Sequence, residues 1–540
     1  MDFARGHLRG GLAAFAAIVL LNGALTFGNL WPTLWIEPAL ALSVELAFVL
    51  VALALAAERY GSVPARLVVA LTAVFVVLAI GRYVEITANE LYGRPINLYY
   101  DVPHVPRVVA MFVEALPAWL VVCAGAGVLV GVAALYALMA WSWRSVARAL
   151  AHPAPRRAIA LAAAGVCAVY PFAPDWFGQP VSASYAKQLA VLTRSLSGGG
   201  ATLGTGPDFG GGLGRLGAAD VYVIFIESYG AATYERAEYS QRLAPDRARL
   251  AGAIAATGRG VVSAFVESPT FGGASWLAHA SLLTGVEVRE GDAYNLLLTQ
   301  RRDTLVSLFA RRGYRTIALM PGLRQDWREG EAFYGFDEIY GATRLDYRGP
   351  AFGWWRIPDQ YALARLGHLE SKGASRQPRF VFFPTISTHA PFRPTPPYDA
   401  DWTRVAEHGP AVGEAVKVAA AASGWNDLEA AYGDAVSYSL AWLSGYLVER
   451  ATEDVVLVVL GDHQPPAGVA GERPSWNVPV HVIASRRDVL DSLVASGFTP
   501  GLTPRAPALA RMHELTAALL RAFGDTPQTT VHVARPGAGG

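Results

Sequence analysis

Five apolar stretches follow one another in the first third of the chain, near residues 10 to 30, 36 to 57, 63 to 82, 109 to 141 and 157 to 173. Most approach the roughly 20 residues that a helix needs to cross a bilayer. Backbone amides in lipid have no water to bond, so spans of this kind are expected as helices, and an all-α transmembrane bundle of five helices follows. Composition agrees. With 53% hydrophobic and only 16% charged residues in 540, the chain is too apolar for an ordinary soluble protein and long enough for more than one domain. The first stretch is not read as a cleavable signal, because its apolar core is long and a second span follows directly. Arg5, Arg9, Arg59, Arg66, Arg144, Arg148, Arg156 and Arg157 gather at the amino end and in the second and fourth connections. The positive-inside rule then keeps the amino terminus in the cytoplasm and places everything beyond residue 175 outside it.

Glu45 and Glu114 fall inside expected spans, where an ionisable group is costly and faces either a partner or a watery cavity. Lipid handling and plain helix pairing account for them equally well. The connection from Val84 to Arg107 mixes Arg94, Asp101, His104 and Arg107 with Tyr92, Tyr99 and Tyr100, a composition that suits the headgroup layer.

Residues 176–217 hold Ser197-Gly-Gly-Gly200 and Gly210-Gly-Gly212 and are expected as a glycine-rich extracytoplasmic linker between a membrane domain (1–175) and a globular domain (218–540). Beyond it, strand-like runs at 221–226, 260–266, 315–319, 379–385, 455–460 and 478–483 alternate with helical patterns at 241–257, 275–283, 303–312, 359–370, 428–450 and 508–523. That alternation predicts an α/β domain built on a doubly wound sheet. The net charge of +1 gives no pull toward nucleic acid, and none is expected as a partner. Cys123 and Cys167, the two cysteines, both lie in the apolar third and exclude both a disulfide framework and a cysteine-rich metal site.

Within the α/β part, Val455-Val-Leu-Val-Val-Leu460 reads as a strand buried on both faces, stopped by Gly461 and followed at once by Asp462 and His463. Val221-Tyr-Val-Ile-Phe-Ile226 is a second such strand and also ends in an acid, Glu227. In α/β sheets the carboxyl edge of the strands is where loops converge on ligands. Each strand alone could end in an ordinary polar turn, but two core strands delivering metal-competent groups to one edge point to a metal site. After the strand ending near Val266, Gly272 and Gly273 permit a sharp turn, and Ser275 falls where a helix begins. A serine there is commonly an N-cap; it also suits a nucleophile, because helix-start amides favour an anionic adduct and a coordinated metal would activate the hydroxyl. Ser268 and Thr270 are the rival hydroxyls.

The segment Ser275-Trp-Leu-Ala-His-Ala-Ser-Leu-Leu-Thr-Gly285 resembles the stretch that follows the modified nucleophile of sulfatases. Leu277 stands where sulfatases have proline and His279 where they have arginine, so conversion of residue 275 to formylglycine is not expected. An unmodified hydroxyl at this place is similar to the lipoteichoic acid synthase branch of the alkaline phosphatase superfamily, which joins five spans to an extracytoplasmic sulfatase-like domain. The resemblance implies metal ligation by Glu227, Asp462 and His463 together with Ser275, which is also the nucleophile in place of the more usual threonine. It implies a substrate role for His389, in Ser387-Thr-His-Ala-Pro-Phe392, and headgroup binding by Trp327 and Arg328, with Arg324 able to take the arginine's part. Trp354, Trp355, Arg356 and Asp359 are expected at most at the rim. The activity implied is metal-dependent transfer, through a covalent serine intermediate, of a phosphoglycerol-type headgroup. Its donor is an anionic phospholipid such as phosphatidylglycerol and its acceptor a glycan or polymer hydroxyl. Mn²⁺ suits three oxygens and one imidazole, and Zn²⁺ is also acceptable. The place implied is the bacterial cytoplasmic membrane, with the catalytic domain extracytoplasmic. A phosphoethanolamine transferase, a phosphodiesterase or sulfatase using water, and a headgroup-binding scaffold without catalysis all remain open at this point.

Overall fold

The structure, a computed structural model, describes residues 2–30, 33–92, 102, 105–106, 109–110, 113, 116–196, 202–324, 327–352, 356–370, 377–411, 413, 428–472 and 474–525. The chain divides into two compact units, Met1–Gly200 and Ala201–Gly540.

The first unit is helical: α1 (Asp2–Thr26), α2 (Val44–Tyr60), α3 (Ala65–Tyr92), α4 (Ala118–Leu150), α5 (Pro153–Val169) and α6 (Val181–Leu196). Leu21, Leu50, Phe75, Trp143 and Ala163 bury against one another across α1 to α5, with Phe75 and Trp143 edge to face at 4.9 Å. Val122, Leu129, Val130 and Phe48 stay exposed, so these helices carry apolar side chains outward as well as inward. The expectation of five spans is met in part. Among the described residues two helices, Ala65–Ala88 and Ala118–Leu150, are long and apolar enough to cross a membrane, and Gly10–Thr26 is a shorter apolar helix. Helices α2 and α5 have 17 residues each, about 26 Å of rise against a hydrocarbon core of roughly 30 Å. The stretch expected at 109–141 is shifted as well: Pro117, with no amide to donate, sits at the cap position and α4 begins after it.

Glu45 finds its partners inside this unit. Its carboxylate accepts from the amides of Val181 (3.1 Å) and Ser182 (2.7 Å), the open amino end of α6, where negative charge is favoured. Glu45 therefore serves helix pairing. Residues 181–196, expected inside an extended tether, form α6 instead, and the Tyr185 hydroxyl donates to the Val77 carbonyl of α3 at 3.0 Å. Of the Val84–Arg107 connection, residues 84–92 continue α3, while Arg94, Tyr99, Tyr100, Asp101, His104 and Arg107, like Glu114, lie outside the described residues.

In the second unit a nine-stranded sheet is built from β1 (Asp220–Ile226), β2 (Gly260–Glu267), β3 (Arg315–Met320), β4 (Glu338–Gly341), β5 (Arg379–Pro384), β6 (Val455–Gly461), β7 (Asn477–Ala484) and the two-residue β8 (Thr499–Pro500) and β9 (Ala510–Arg511). The order is β8-β2-β7-β6-β1-β5-β3-β4, with β9 beside β2. From β6 to β4 neighbours run parallel, but β7 runs antiparallel to both β6 and β2. The sheet is thus mixed: the α/β domain expected from the alternation is present, and β7 is the long strand that runs against its neighbours. That could not be read from its side chains: Val478 to Ala484 are buried, so an antiparallel strand covered on both faces has the same apolar run as a parallel one.

Helices α7 (Ala244–Ala256), α8 (Ser275–Thr284), α9 (Gly291–Thr299), α10 (Leu305–Arg311), α11 (Arg328–Tyr334), α12 (Asp359–Glu370), α13 (Leu428–Glu449), α14 (Arg487–Ala495) and α15 (Met512–Phe523) accompany the sheet. Alternate residues of β1 feed two cores. Tyr222, Ile224 and Ile226 pack with α12 and α13, whereas Val221, Val223 and Phe225 pack with α8, α10 and α15. Phe209 and Leu216 bury in the second of these, which ties residues 209–216 to the second unit. At the end of the strands opposite the site, Arg379 binds Asp220 through its backbone amide (2.9 Å), Nε (3.0 Å) and Nη2 (2.6 Å), both residues being buried.

Candidate functional site

The carboxyl edge of the parallel strands gathers the reactive side chains. Ile226 of β1 pairs in register with Gly461 of β6, so Glu227 and Asp462 leave adjacent strands at the same level, with His463 next in line. The last residue of β6 has to be glycine: a Cβ at 461 would stand 1.9 Å from the Tyr229 carbonyl oxygen, which turns back over it. On both flanks the backbone is bent into the left-handed region at non-glycine residues, Ser228 with φ 57° and Ala274 with φ 60°, beside Glu227 and Ser275. Such conformations cost energy and persist where surrounding structure over-determines them.

One ligand atom each from Glu227, Asp462 and His463 lies within 4.8 Å of the others. His463 Nε2 is 3.3 Å from Glu227 Oε1 and 3.6 Å from Asp462 Oδ2. Ser275 Oγ donates to Glu227 Oε2 at 3.0 Å and stands 3.2 Å from His463 Nε2. All four expected ligands therefore share one small volume. Ala274 holds the cap position, so Ser275 is the first helical residue of α8 and does not serve as its N-cap. The rival hydroxyls are spent on structure: Ser268 Oγ donates to the Asp462 carbonyl (2.5 Å) and Thr270 Oγ1 to the Gly273 carbonyl (2.6 Å).

Supporting bonds orient the cluster. The His463 Nδ1 bond to the Gln464 carbonyl (2.7 Å) fixes the ring with Nε2 toward the carboxylates. Asp462 Oδ1 accepts the amides of Ser228 (2.8 Å) and His463 (2.7 Å), and the Glu227 amide donates to Thr385 Oγ1 at 3.1 Å. Ser228 and Thr385 were not singled out from the sequence, although each directly follows a ligand or a core strand, which was the available signal.

Electrostatically the cluster is built for a cation. Burial and the neighbouring Glu227 carboxylate push Asp462 up to about 8. His463, though burial opposes its charge, is raised to about 9 by Asp462 and Glu227. Burial works against ionised Glu227 too, but the charge and hydrogen bond of His463 hold it well below the usual carboxylate range. Two acids and an imidazole crowded out of water favour positive charge, and Glu227, Asp462, His463 and the Ser275 oxygen would suit a divalent ion as donors. His279, one turn beyond Ser275, is held down to about 3 by burial between Phe225 and Phe382 and stays neutral.

The remaining expected residues spread along the same edge. His389 follows β5 and lies within electrostatic reach of Glu227; with Ser387, Phe392 and Arg393 it lines a small recess. Arg324 and Trp327 line a separate cavity of about 420 Å³ beyond β3, with Glu331 and Arg344. Arg328 opens α11. Trp354 and Trp355 lie outside the described residues, and Arg356 is exposed. Asp359, expected at the rim, is instead fully buried, because backbone amides of the next loop close over its carboxylate.

An α/β domain whose strand ends present two carboxylates, an imidazole and a helix-start hydroxyl defines the class: a domain with a candidate metal site beside a hydroxyl. Residues 221–482 match the sulfatase family model, and this chain carries a sulfatase-like α/β domain. No curated protein matched the sequence. Among solved structures, the lipoteichoic acid synthase LtaP from Listeria monocytogenes is similar at 14% identity and TM-score 0.34, covering 52% of this chain and 68% of its own. The phosphoglycerol transferase GacH from Streptococcus pyogenes, in complex with sn-glycerol-1-phosphate, is similar at 12% and 0.34, covering 57% and 76%. The C-terminal periplasmic domain of EptC from Escherichia coli stands at 12% and 0.33, covering 50% and 73%. The family match over residues 221–482 is the comparison on which the classification rests.

Proposed function

We propose that this protein is a membrane-anchored, metal-dependent transferase that moves a phosphoglycerol-type headgroup from an anionic phospholipid to a hydroxyl of a glycan or polymer. The observation that carries the reading is the placement of Ser275 Oγ 3.0 Å from Glu227 and 3.2 Å from His463, inside the carboxylate–imidazole cluster. Glu227, Asp462, His463 and Ser275 would hold one divalent ion, Mn²⁺ by preference and Zn²⁺ as the alternative. That ion would supply Lewis acidity and lower the pKa of the serine hydroxyl. Ser275 Oγ attacks phosphorus, the bond from phosphorus to the diacylglycerol oxygen breaks, and diacylglycerol takes up the proton that Ser275 gives up. The phosphoglycerol on Ser275 then passes to the acceptor hydroxyl, whose proton returns to Ser275. The first turn of α8 offers amides to the phosphoryl oxygens, and His389 orients a phosphate oxygen or relays the proton. Trp327 and Arg324, with Arg328 at the start of α11, hold the headgroup, guanidinium matching phosphate.

The apolar helices Ala65–Ala88 and Ala118–Leu150 support anchoring in the bacterial cytoplasmic membrane, with the α/β unit on the extracytoplasmic side. An anchored enzyme meets a donor that never leaves the bilayer. Purified full-length protein incubated with labelled phosphatidylglycerol, or phosphatidylethanolamine, and candidate glycans tests the reading. Labelled glycan from phosphatidylglycerol supports it. Free glycerol phosphate without labelled glycan assigns a hydrolase, label only from phosphatidylethanolamine assigns the neighbouring transferase, and no turnover with retained headgroup binding assigns a scaffold.

A further inference from the structure

We propose that Asp359 and Gln360, the first two residues of α12, are positioning residues for His389 and hold the two ends of the loop that carries it. The role of His389 rests on the transfer reading above; the grip itself is geometric. Asp359 Oδ1 accepts the amide of Ile386 at 2.8 Å and Oδ2 that of Ser387 at 3.0 Å, while the Asp359 amide donates to Ser387 Oγ at 3.3 Å. Thirteen positions further along the loop from Ile386, Asp399 is held by Gln360, whose Nε2 donates to the Asp399 carbonyl (2.5 Å) and whose Oε1 accepts its amide (3.1 Å). Both side chains are fully buried, at 0% exposure. Tyr438 of α13, through its hydroxyl, accepts the Gln360 amide at 3.3 Å and braces the pair from below.

Between these two grips the backbone folds on itself. The His389 amide donates to the Ile386 carbonyl (3.0 Å), the Phe392 amide to the His389 carbonyl (2.9 Å), and the His389 ring bonds the Ala390 carbonyl through Nδ1 (2.7 Å). His389 is thus one short turn from the two amides that Asp359 holds. An uncharged cap would be enough to start α12, so a buried carboxylate here needs another reason. Its two oxygens meet two successive amides of a different segment, which fixes the direction in which the turn leaves β5. Burial pushes its carboxyl up to about 6, with the Ser387 and Ile386 amides pulling the other way. Thr385, directly before Ile386, accepts the Glu227 amide at 3.1 Å, so the loop leaves β5 beside the cluster and a small rotation of it would carry His389 off its target.

Two measurements on the full-length protein in detergent test this. Hydrogen exchange is compared for wild type, Asp359→Asn and Gln360→Ala. The asparagine offers one acceptor to two amides, so exchange across residues 385–399 should quicken about tenfold, one net hydrogen bond's worth, with residues 221–226 unchanged. Adduct formation on Ser275 is then followed in a double-mutant cycle. Asp359→Asn should slow it roughly 10- to 100-fold when His389 is present, yet by less than about twofold in the His389→Ala background. Equal slowing in both backgrounds, or unchanged exchange of the loop, overturns the proposal. Absence of any adduct in wild type instead sinks the transfer reading, and exchange alone then decides whether the grip exists.

Discussion

The role proposed for Ser275 depends on what stands within 3.2 Å of it, so the sharpest expectations sit on single side chains. Ser275→Ala should abolish the covalent adduct and turnover while leaving metal content near wild type, since three ligands stay in place; elemental analysis alongside turnover checks both halves. Glu227→Gln and Asp462→Asn each remove a ligand oxygen's charge and should weaken metal affinity beyond the roughly 10- to 100-fold that supporting residues typically cost. A different single residue sets an acid limit on stability. His481 is buried with Ser263 Oγ 2.6 Å from Nδ1 and the hydroxyls of Tyr229 and Tyr234 each 3.2 Å from Nε2, and Arg247 lies over the Tyr234 ring. Burial, aided by Arg247, lowers it from 6.5 to about 3. A depressed imidazole stabilises the fold fully above pH 6.5 and loses that contribution as the unfolded chain takes up a proton between pH 6.5 and 3, on the order of 5 kcal/mol at the lower end. Denaturation at several pH values should show this slope, and His481→Asn should flatten it by up to one proton.

At the scale of elements, strand register does what no one residue can: the pairing of Ile226 with Gly461 brings together residues more than two hundred positions apart. Gly461→Ala drives a Cβ into the Tyr229 carbonyl and should both destabilise the domain and displace Asp462, seen as joint loss of thermal stability and metal affinity. At the other end of the same strands, Asp220→Ala leaves Arg379 buried without its partner and should cost about 3 to 5 kcal/mol with little effect on metal binding in the folded fraction. The split between those two outcomes separates the edge that binds from the edge that braces. Six core strands were legible because their apolar runs end in glycine or polar residues, and α12 and α13 because their periodicity is unbroken. The direction of β7 was not, since full burial erases the difference between parallel and antiparallel. Neither was the four-residue β4, too short to show a period. Asp359 was misread for a related reason: its neighbours Trp354, Trp355 and Arg356 look like a surface cluster, and only the fold shows the Ile386 and Ser387 amides meeting its carboxylate.

For the whole molecule, the sequence announced an apolar helical unit followed by an α/β unit; among the described residues two of its helices are long and apolar enough to cross a membrane, while α2 and α5, at 17 residues each, stand at the short end of the spanning range. With two helices of spanning length, the full chain should stay with membranes through a high-salt wash and leave them only with detergent; release by salt alone would remove the anchor from the account. The proposed transfer draws on both units: a lipid-derived phosphoryl group would be carried on Ser275 in a metal-dependent way. The most direct measurement is the mass of the proteolytic peptide bearing Ser275 after the metal-loaded full-length protein is incubated with phosphatidylglycerol. That peptide is expected to gain one phosphoglycerol on Ser275, and to gain nothing when a chelator is present. An unmodified peptide under turnover conditions, or an adduct on another residue, would contradict it.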